Sequence, residues 1–221
     1  MSEIAHISGN QQALLDPLLP EDQTRADFYA LLARLYADGP DRGLLQAIAA
    51  AAPLGPPMFL DRVDSKAFGL GNTWDNLRAA SSVMDSEAAQ QEYIDLFIGV
   101  GKSEVNLHGS HWLTGFMMEK PLAELRKALA LLGLQRAAHA TMLEDHLSAL
   151  CETMRLLIAG DPGRAPADAG EQHRFFGAYI EPWFERCTGA ICAHTGANYY
   201  RPVAEFTESF MVLERESFAI D

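Results

Sequence analysis

Residues 22–37 read DQTRADFYALLARLYA, and the order of their apolar side chains decides the fold class. Phe28, Leu31, Leu32, Leu35 and Tyr36 recur three and four residues apart, the spacing that lines one face of an α-helix and not the alternation of a strand. Gly39-Pro40 ends this pattern, and a shorter one follows from Leu44 to Ala51. Outward from here helical spacing recurs along most of the chain, and no Asn-Gly or Asp-Gly turn divides two alternating runs, so the chain reads as all-α.

The stretch APLGPPMF (52–59) holds too much Pro and Gly for a helix and predicts a surface connection ahead of a helix near Trp74 to Met84. Ser86 can cap the next helix, whose Ala89, Tyr93, Leu96 and Phe97 share a face until Gly99, tolerant of positive φ, ends it. GVGKSEVNLHGS (99–110) is then a long, glycine-bearing loop between central helices, the kind of segment that carries function on a rigid scaffold. Helical spacing resumes near His111, and Pro121 opens a further helix through Leu132 that Gly133 ends.

In TMLEDHLSAL (141–150), Thr141 followed by Glu144 predicts a capping box that starts a helix at Thr141 and occupies the Glu144 carboxylate. On that reading Leu143, Leu147, Leu150, Met154 and Leu157 form one face, His146 flanks it, and Asp145 points away while favouring the positive helix end. GDPGRAPADAG (160–170) is a loop by composition. Phe175, Phe176, Tyr179, Trp183, Phe184, Cys187 and Ile191 keep helical spacing, with Pro182 breaking the run after Ile180. A last helix has Pro202 in its first turn and buries Val203, Phe206, Phe210 and Leu213. Residues 1–20 read as a flexible N-terminal segment and 21–221 as one helical domain.

With 221 residues and 48% hydrophobic content the chain can bury a sizeable core. Seventeen basic residues against 30 acidic ones give a formal net charge of −13 without a basic block, which argues against nucleic acid and leaves a basic partner welcome. The start lacks the basic, apolar and small-residue order of a secretory signal, and no apolar stretch approaches ~20 residues, so the reading is cytoplasmic without membrane insertion. Cys151, Cys187 and Cys192 are odd in number and lie in helical sequence, which predicts buried thiols.

Several constellations invite chemistry. His108 and His111, with His146 and Glu104, could ligate a metal, but helical zinc motifs place histidines four apart around a glutamate. Asp145 and His146 could exchange protons, yet helical neighbours diverge by about 100°. GVGKS lacks the four-residue gap and preceding strand of a phosphate loop. Tyr93, Phe97, Trp112, Phe116, Met117 and Met118 make the loop region apolar and soft, suited either to a core or to receiving an amphipathic segment.

EYIDLFIGVGKSE (92–104), GSHWLTGFMMEKPLAELRKALALLGL (109–134) and LEDHLSAL (143–150), in this order and spacing, resemble the TorD/DmsD/NarJ family of redox-enzyme maturation chaperones. The similarity extends from Phe28 to about Glu216 and includes HRFFGAYIEPWFERCTGAI (173–191) and YYRPVAEFTESFMVLE (199–214). It implies a single-domain helical bundle of the TorD-like type with a functional loop between central helices, and a cytoplasmic, non-enzymatic chaperone without a cofactor or metal of its own. It further implies binding to the apo-form of a molybdenum-cofactor oxidoreductase and its twin-arginine leader, with a formate dehydrogenase or a DMSO/TMAO-reductase-type enzyme as client, by a monomer or homodimer. Residue by residue, the resemblance puts client and signal-peptide binding on Glu92, Tyr93, Phe97, Gly99, Gly101, Ser110, His111, Trp112, Glu144, Asp145 and His146. Val100, Leu107 and Leu143 stand where that family commonly has Pro. The alternatives are a helical metal- or nucleotide-dependent enzyme using the Asp145/His146 region, and a structural subunit of a redox complex.

Overall fold

The apolar stripe of residues 22–37 is the buried face of a helix, Pro20–Ala37, with Tyr29, Leu32, Leu35 and Tyr36 fully enclosed. The computed structural model describes residues 4–6, 18–55, 65–99, 101–138 and 140–220. In chain order its elements are β1 (Ile4–His6), α1 (Pro20–Ala37), α2 (Arg42–Ala50), α3 (Ser65–Val83), α4 (Ser86–Tyr93) continued by a π-helical turn (Ile94–Ile98), α5 (Gly109–Thr114), α6 (Lys120–Leu131), β2 (Leu134–Arg136), α7 (Leu147–Ala159), α8 (Ala169–Tyr179), α9 (Phe184–Ala193) and α10 (Tyr200–Phe218). Among the described residues the protein is all-α apart from one short ribbon, in which β1 pairs antiparallel with β2, Ile4 opposite Arg136. That strand falls inside the segment expected to be flexible; residues 1–3 and 7–17 of it, and residues 56–59 of APLGPPMF, lie outside the described residues.

The chain forms two compact units, each made of two separate stretches. The first combines residues 1–37 with 107–183, and at its centre α7 packs on α1. Eleven of the 13 residues of α7 are buried, so it has no polar face to offer solvent and must be enclosed all round. Each enclosed Leu or Met contributes about 1.5–3 kcal/mol, and Ser148 settles its hydroxyl by donating to the Ala33 carbonyl at 2.7 Å. Gly160, at φ +69°, ends α7 where a Cβ would meet the Arg164 carbonyl at 2.5 Å.

The second unit combines residues 38–106 with 184–221, with α10 packed on α3 and α9. Trp74 packs against Phe206 with the rings tilted by 44° and centroids 5.1 Å apart, and donates its indole N–H to the Ala52 carbonyl. Glu92, at the edge of α4, accepts the backbone N–H of Tyr199 at 3.0 Å and of Tyr200 at 2.8 Å, satisfying two donors at the start of α10. Gly99 stops the π-helical turn as expected: it lies at φ +63°, and a Cβ there would press the Lys102 carbonyl oxygen at 2.2 Å.

Most boundaries agree with the sequence reading, including the break between α8 and α9 around Pro182 and the start of α10. Two caps differ. Asp85, not Ser86, caps α4: it precedes the first helical residue with extended backbone, and its carboxylate accepts the N–H groups of Glu87 and Ala88. The larger correction is at residues 141–146: Thr141 is exposed and starts no helix, and α7 begins at Leu147 with His146 as its cap.

Candidate functional site

In the first unit, the turn before α7 is zipped to the chain before α5. The Leu147 N–H donates to the Leu107 carbonyl at 2.8 Å and the Gly109 N–H to the Asp145 carbonyl at 2.9 Å, with His108 and His146 opposite each other as an isolated antiparallel bridge. This pairing holds Glu144, Asp145 and His146 in a non-helical turn with all three buried, so Asp145 points inward and not away. Gly109 is required beside it, because a Cβ there would approach the Trp183 indole nitrogen at 3.0 Å.

Each acidic or basic member of the turn has a distinct environment. Burial alone would raise the Glu144 carboxyl, but two hydrogen bonds from Arg126 on α6, Nε to Oε1 at 3.0 Å and Nη2 to Oε2 at 2.9 Å, outweigh it together with the turn's backbone and the Arg126 and Arg136 charges. The net effect holds Glu144 below the usual carboxylate range. His146 accepts the Ser148 N–H on Nδ1 at 3.2 Å, which requires a neutral ring. Burial first, and the neighbouring His108 second, push its pKa down to about 3. The two rings meet edge to face at 4.9 Å. Burial also lowers the His108 pKa, with Asp145 opposing and His111 adding to the effect.

Asp145 is the member with unspent capacity. One oxygen, Oδ2, accepts the Ser110 N–H at 2.9 Å, while Oδ1 and the fully buried Ser110 hydroxyl have no hydrogen-bond partner among the described residues. Both residues line a recess with Leu113, Pro121, Leu125 and Tyr179, its volume about 10 Å³, room for one water-sized group. A buried carboxylate oxygen without a donor is costly, so the chemistry of this recess suits a donor-bearing group.

Beside the recess, the connection from α5 to α6 turns its apolar side chains outward. Phe116 is 69% and Met118 70% exposed, and Leu113 and Met117 are also exposed. Gly115 at φ +84° closes α5, and Met118 holds a positive φ of 57°, uncommon for a side-chain-bearing residue. Three contiguous exposed apolar residues on one loop are the composition of a docking surface and not of a core.

Ser110, His111, Trp112, Glu144, Asp145 and His146 therefore belong to the first unit, and Glu92, Tyr93, Phe97, Gly99 and Gly101 to the second. Glu92 caps α10, and Tyr93 and Phe97 are buried with Tyr200, the Phe97 and Tyr200 centroids 4.9 Å apart. These three have core roles. Sequence reasoning missed Arg126, whose partner lies 18 residues on, and Tyr179; no local signal marks either. No group of three or more His, Cys, Asp or Glu placed to hold a metal ion occurs among the described residues. Cys151 and Cys187 are buried and Cys192 half-buried.

Residues 64–189 match the family model described as nitrate reductase delta subunit. No curated protein matches the chain. Among solved structures, one from Archaeoglobus fulgidus, whose own assignment as a redox enzyme maturation protein is provisional, is similar at 15% identity with a TM-score of 0.51, covering 90% of this chain and 99% of that one. That likeness concerns the fold.

Proposed function

The chain belongs to the nitrate reductase delta subunit family, the NarJ/TorD group of non-catalytic redox-enzyme maturation chaperones, and from that premise we propose that the first unit receives the twin-arginine leader of an apo-molybdoenzyme. The observation that carries this reading is the unpartnered Asp145 Oδ1 beside an outward-facing apolar loop. An arginine of the leader donates to Asp145 in a charge-assisted bond, which is shorter and stronger than a neutral one. The apolar segment that follows the arginines covers Leu113, Phe116, Met117 and Met118, and Trp112 and His111 flank the path. Since the recess holds only about 10 Å³, the guanidinium enters by one N–H edge or Leu113 swings aside. Binding in the cytoplasm keeps the client from export until its cofactor is loaded. No helix among the described residues is long and apolar enough to cross a membrane, so the leader site is not held there by a helical span of those residues. The client fits a formate dehydrogenase or a DMSO/TMAO-reductase-type enzyme.

The test is calorimetric titration of the protein with a synthetic leader peptide at several salt concentrations. Charge pairs are screened over a Debye length near 10 Å at about 0.1 M, while apolar burial persists. Asp145→Asn should weaken binding and flatten its salt dependence, and Phe116→Ser should weaken it at every salt concentration. If no leader peptide binds, recognition lies in the folded body of the client.

A further inference from the structure

One carboxylate of the turn is held by a guanidinium and the next is not. Arg126 projects from α6 with 50% of its side chain in solvent and lies across Glu144, whose side chain is only 9% exposed. Its hydrogen bonds are the planar, two-pronged pair that arginine makes with a carboxylate. The next residue, Asp145, gives one oxygen to the Ser110 N–H and turns the other to the recess without a partner. A ligand that carries a guanidinium to Asp145 and a second one on an adjacent residue can offer the second to Glu144, the next residue of the turn, and there it meets a group of its own chemistry already seated.

Exchange at Glu144 would be balanced in bonds. The departing Arg126 loses two charge-assisted hydrogen bonds, the arriving arginine makes the same two, and Arg126 is already half in water. The pair is half-buried, so Glu144 is not left empty and its guanidinium is exchanged only for another. Arg126 therefore occupies Glu144 in the free protein and leaves when a second guanidinium takes both bonds. Resting on the leader reading above, we propose that Arg126 is a resident competitor, seated on Glu144 until one arginine of a twin-arginine leader displaces it while the other pairs with Asp145. It then limits selectivity: a single arginine reaches Asp145 without displacing anything, whereas the second contributes only what remains after Arg126 is released. The apparent affinity for the second arginine is multiplied by the fraction of protein in which Glu144 is free.

The test titrates the full-length protein with two synthetic peptides that share an apolar run of ~12 residues, preceded by Arg-Arg in one and Gln-Gln in the other. Arg126→Gln should tighten Arg-Arg binding about three- to tenfold and leave Gln-Gln binding within about twofold. Lys127→Gln, at an exposed neighbour on the same helix, makes the same charge change and should tighten Arg-Arg binding less than about twofold. Adding Glu144→Gln to Arg126→Gln should erase the gain. If Arg126→Gln does not fold, Arg126→Lys keeps the charge without the two-pronged geometry and should still tighten Arg-Arg binding about twofold.

Failure of the competitor and failure of the leader site look different. A preference for Arg-Arg in the wild-type protein that neither Arg126 variant enlarges overturns the competitor alone. Weaker Arg-Arg binding by Arg126→Gln at an unchanged melting temperature also overturns it, since Arg126 would then belong to the receptor. Equal binding of the two peptides by wild type and by every variant overturns the leader reading and the competitor together.

Discussion

His146 does two jobs with one ring: its Nδ1 caps α7 by accepting the Ser148 N–H, and its face meets His108. Both need the neutral form, and burial followed by the His108 contact holds the pKa near about 3. In the unfolded chain a histidine titrates near about 6.5. As the pH falls from 7 to 5 the unfolded state therefore takes a proton that the folded state refuses, and stability falls. Urea unfolding should show this decline in the wild-type protein and a smaller one in His146→Asn, which can still cap but does not titrate. Part of the slope should remain, because burial lowers His108 in the same direction. At pH 7, His146→Ala should cost about 1–2 kcal/mol, whereas Thr141→Ala should stay within about 0.5 kcal/mol. The Thr-x-x-Glu signature that points to the opposite result is present in the sequence, but tertiary partners claimed its parts. Arg126 takes the Glu144 carboxylate, and the Leu107 and Gly109 backbone takes the turn. Nothing local in the sequence records either partner, which is why the three residues were legible as a site and their geometry was not.

At the scale of elements, the connection from α5 to α6 contrasts with that from α7 to α8. The latter is tethered: Asp161 and Arg164 bridge each other, the Arg164 guanidinium donates to the Leu132 carbonyl, and the Ala167 N–H donates to the Leu157 carbonyl at 2.7 Å. The former leaves every residue from Gly115 to Lys120 exposed. Proteinase K, which has broad side-chain tolerance, should therefore cut under native conditions at Phe116 to Met118 before residues 160–168, and an Arg-Arg leader peptide should slow that cut; mass spectrometry of early fragments decides the order. Helical spacing had left Phe116, Met117 and Met118 open to a core role, because an apolar residue carries no mark of which side it faces. The helices themselves were readable where an apolar stripe ended in a breaker, as α1 does before Gly39-Pro40 and α6 before Gly133. The β1–β2 ribbon was not, since three residues at each strand are too few for a period to register.

For the molecule as a whole, membership of the second unit redefines Glu92. Its carboxylate spans 107 and 108 positions of sequence to reach the N–H groups of Tyr199 and Tyr200. Glu92→Ala should leave both buried donors without their acceptor and cost about 2–3 kcal/mol, read as a lowered melting temperature by circular dichroism. Its weight in the sequence pattern is thus explained by architecture. The same interleaving has a consequence for synthesis. A nascent chain holds every piece of the first unit once Trp183 has left the ribosome, and the turn around Asp145 can close from then on. The second unit must wait. Trp74 on α3 and the Glu92 carboxylate emerge long before Phe206 and the Tyr199-Tyr200 amides that complete them, so between the emergence of residue 183 and that of residue 221, an interval of seconds at the pace of synthesis, the polypeptide carries one finished unit and one half-built unit whose apolar side chains are still uncovered.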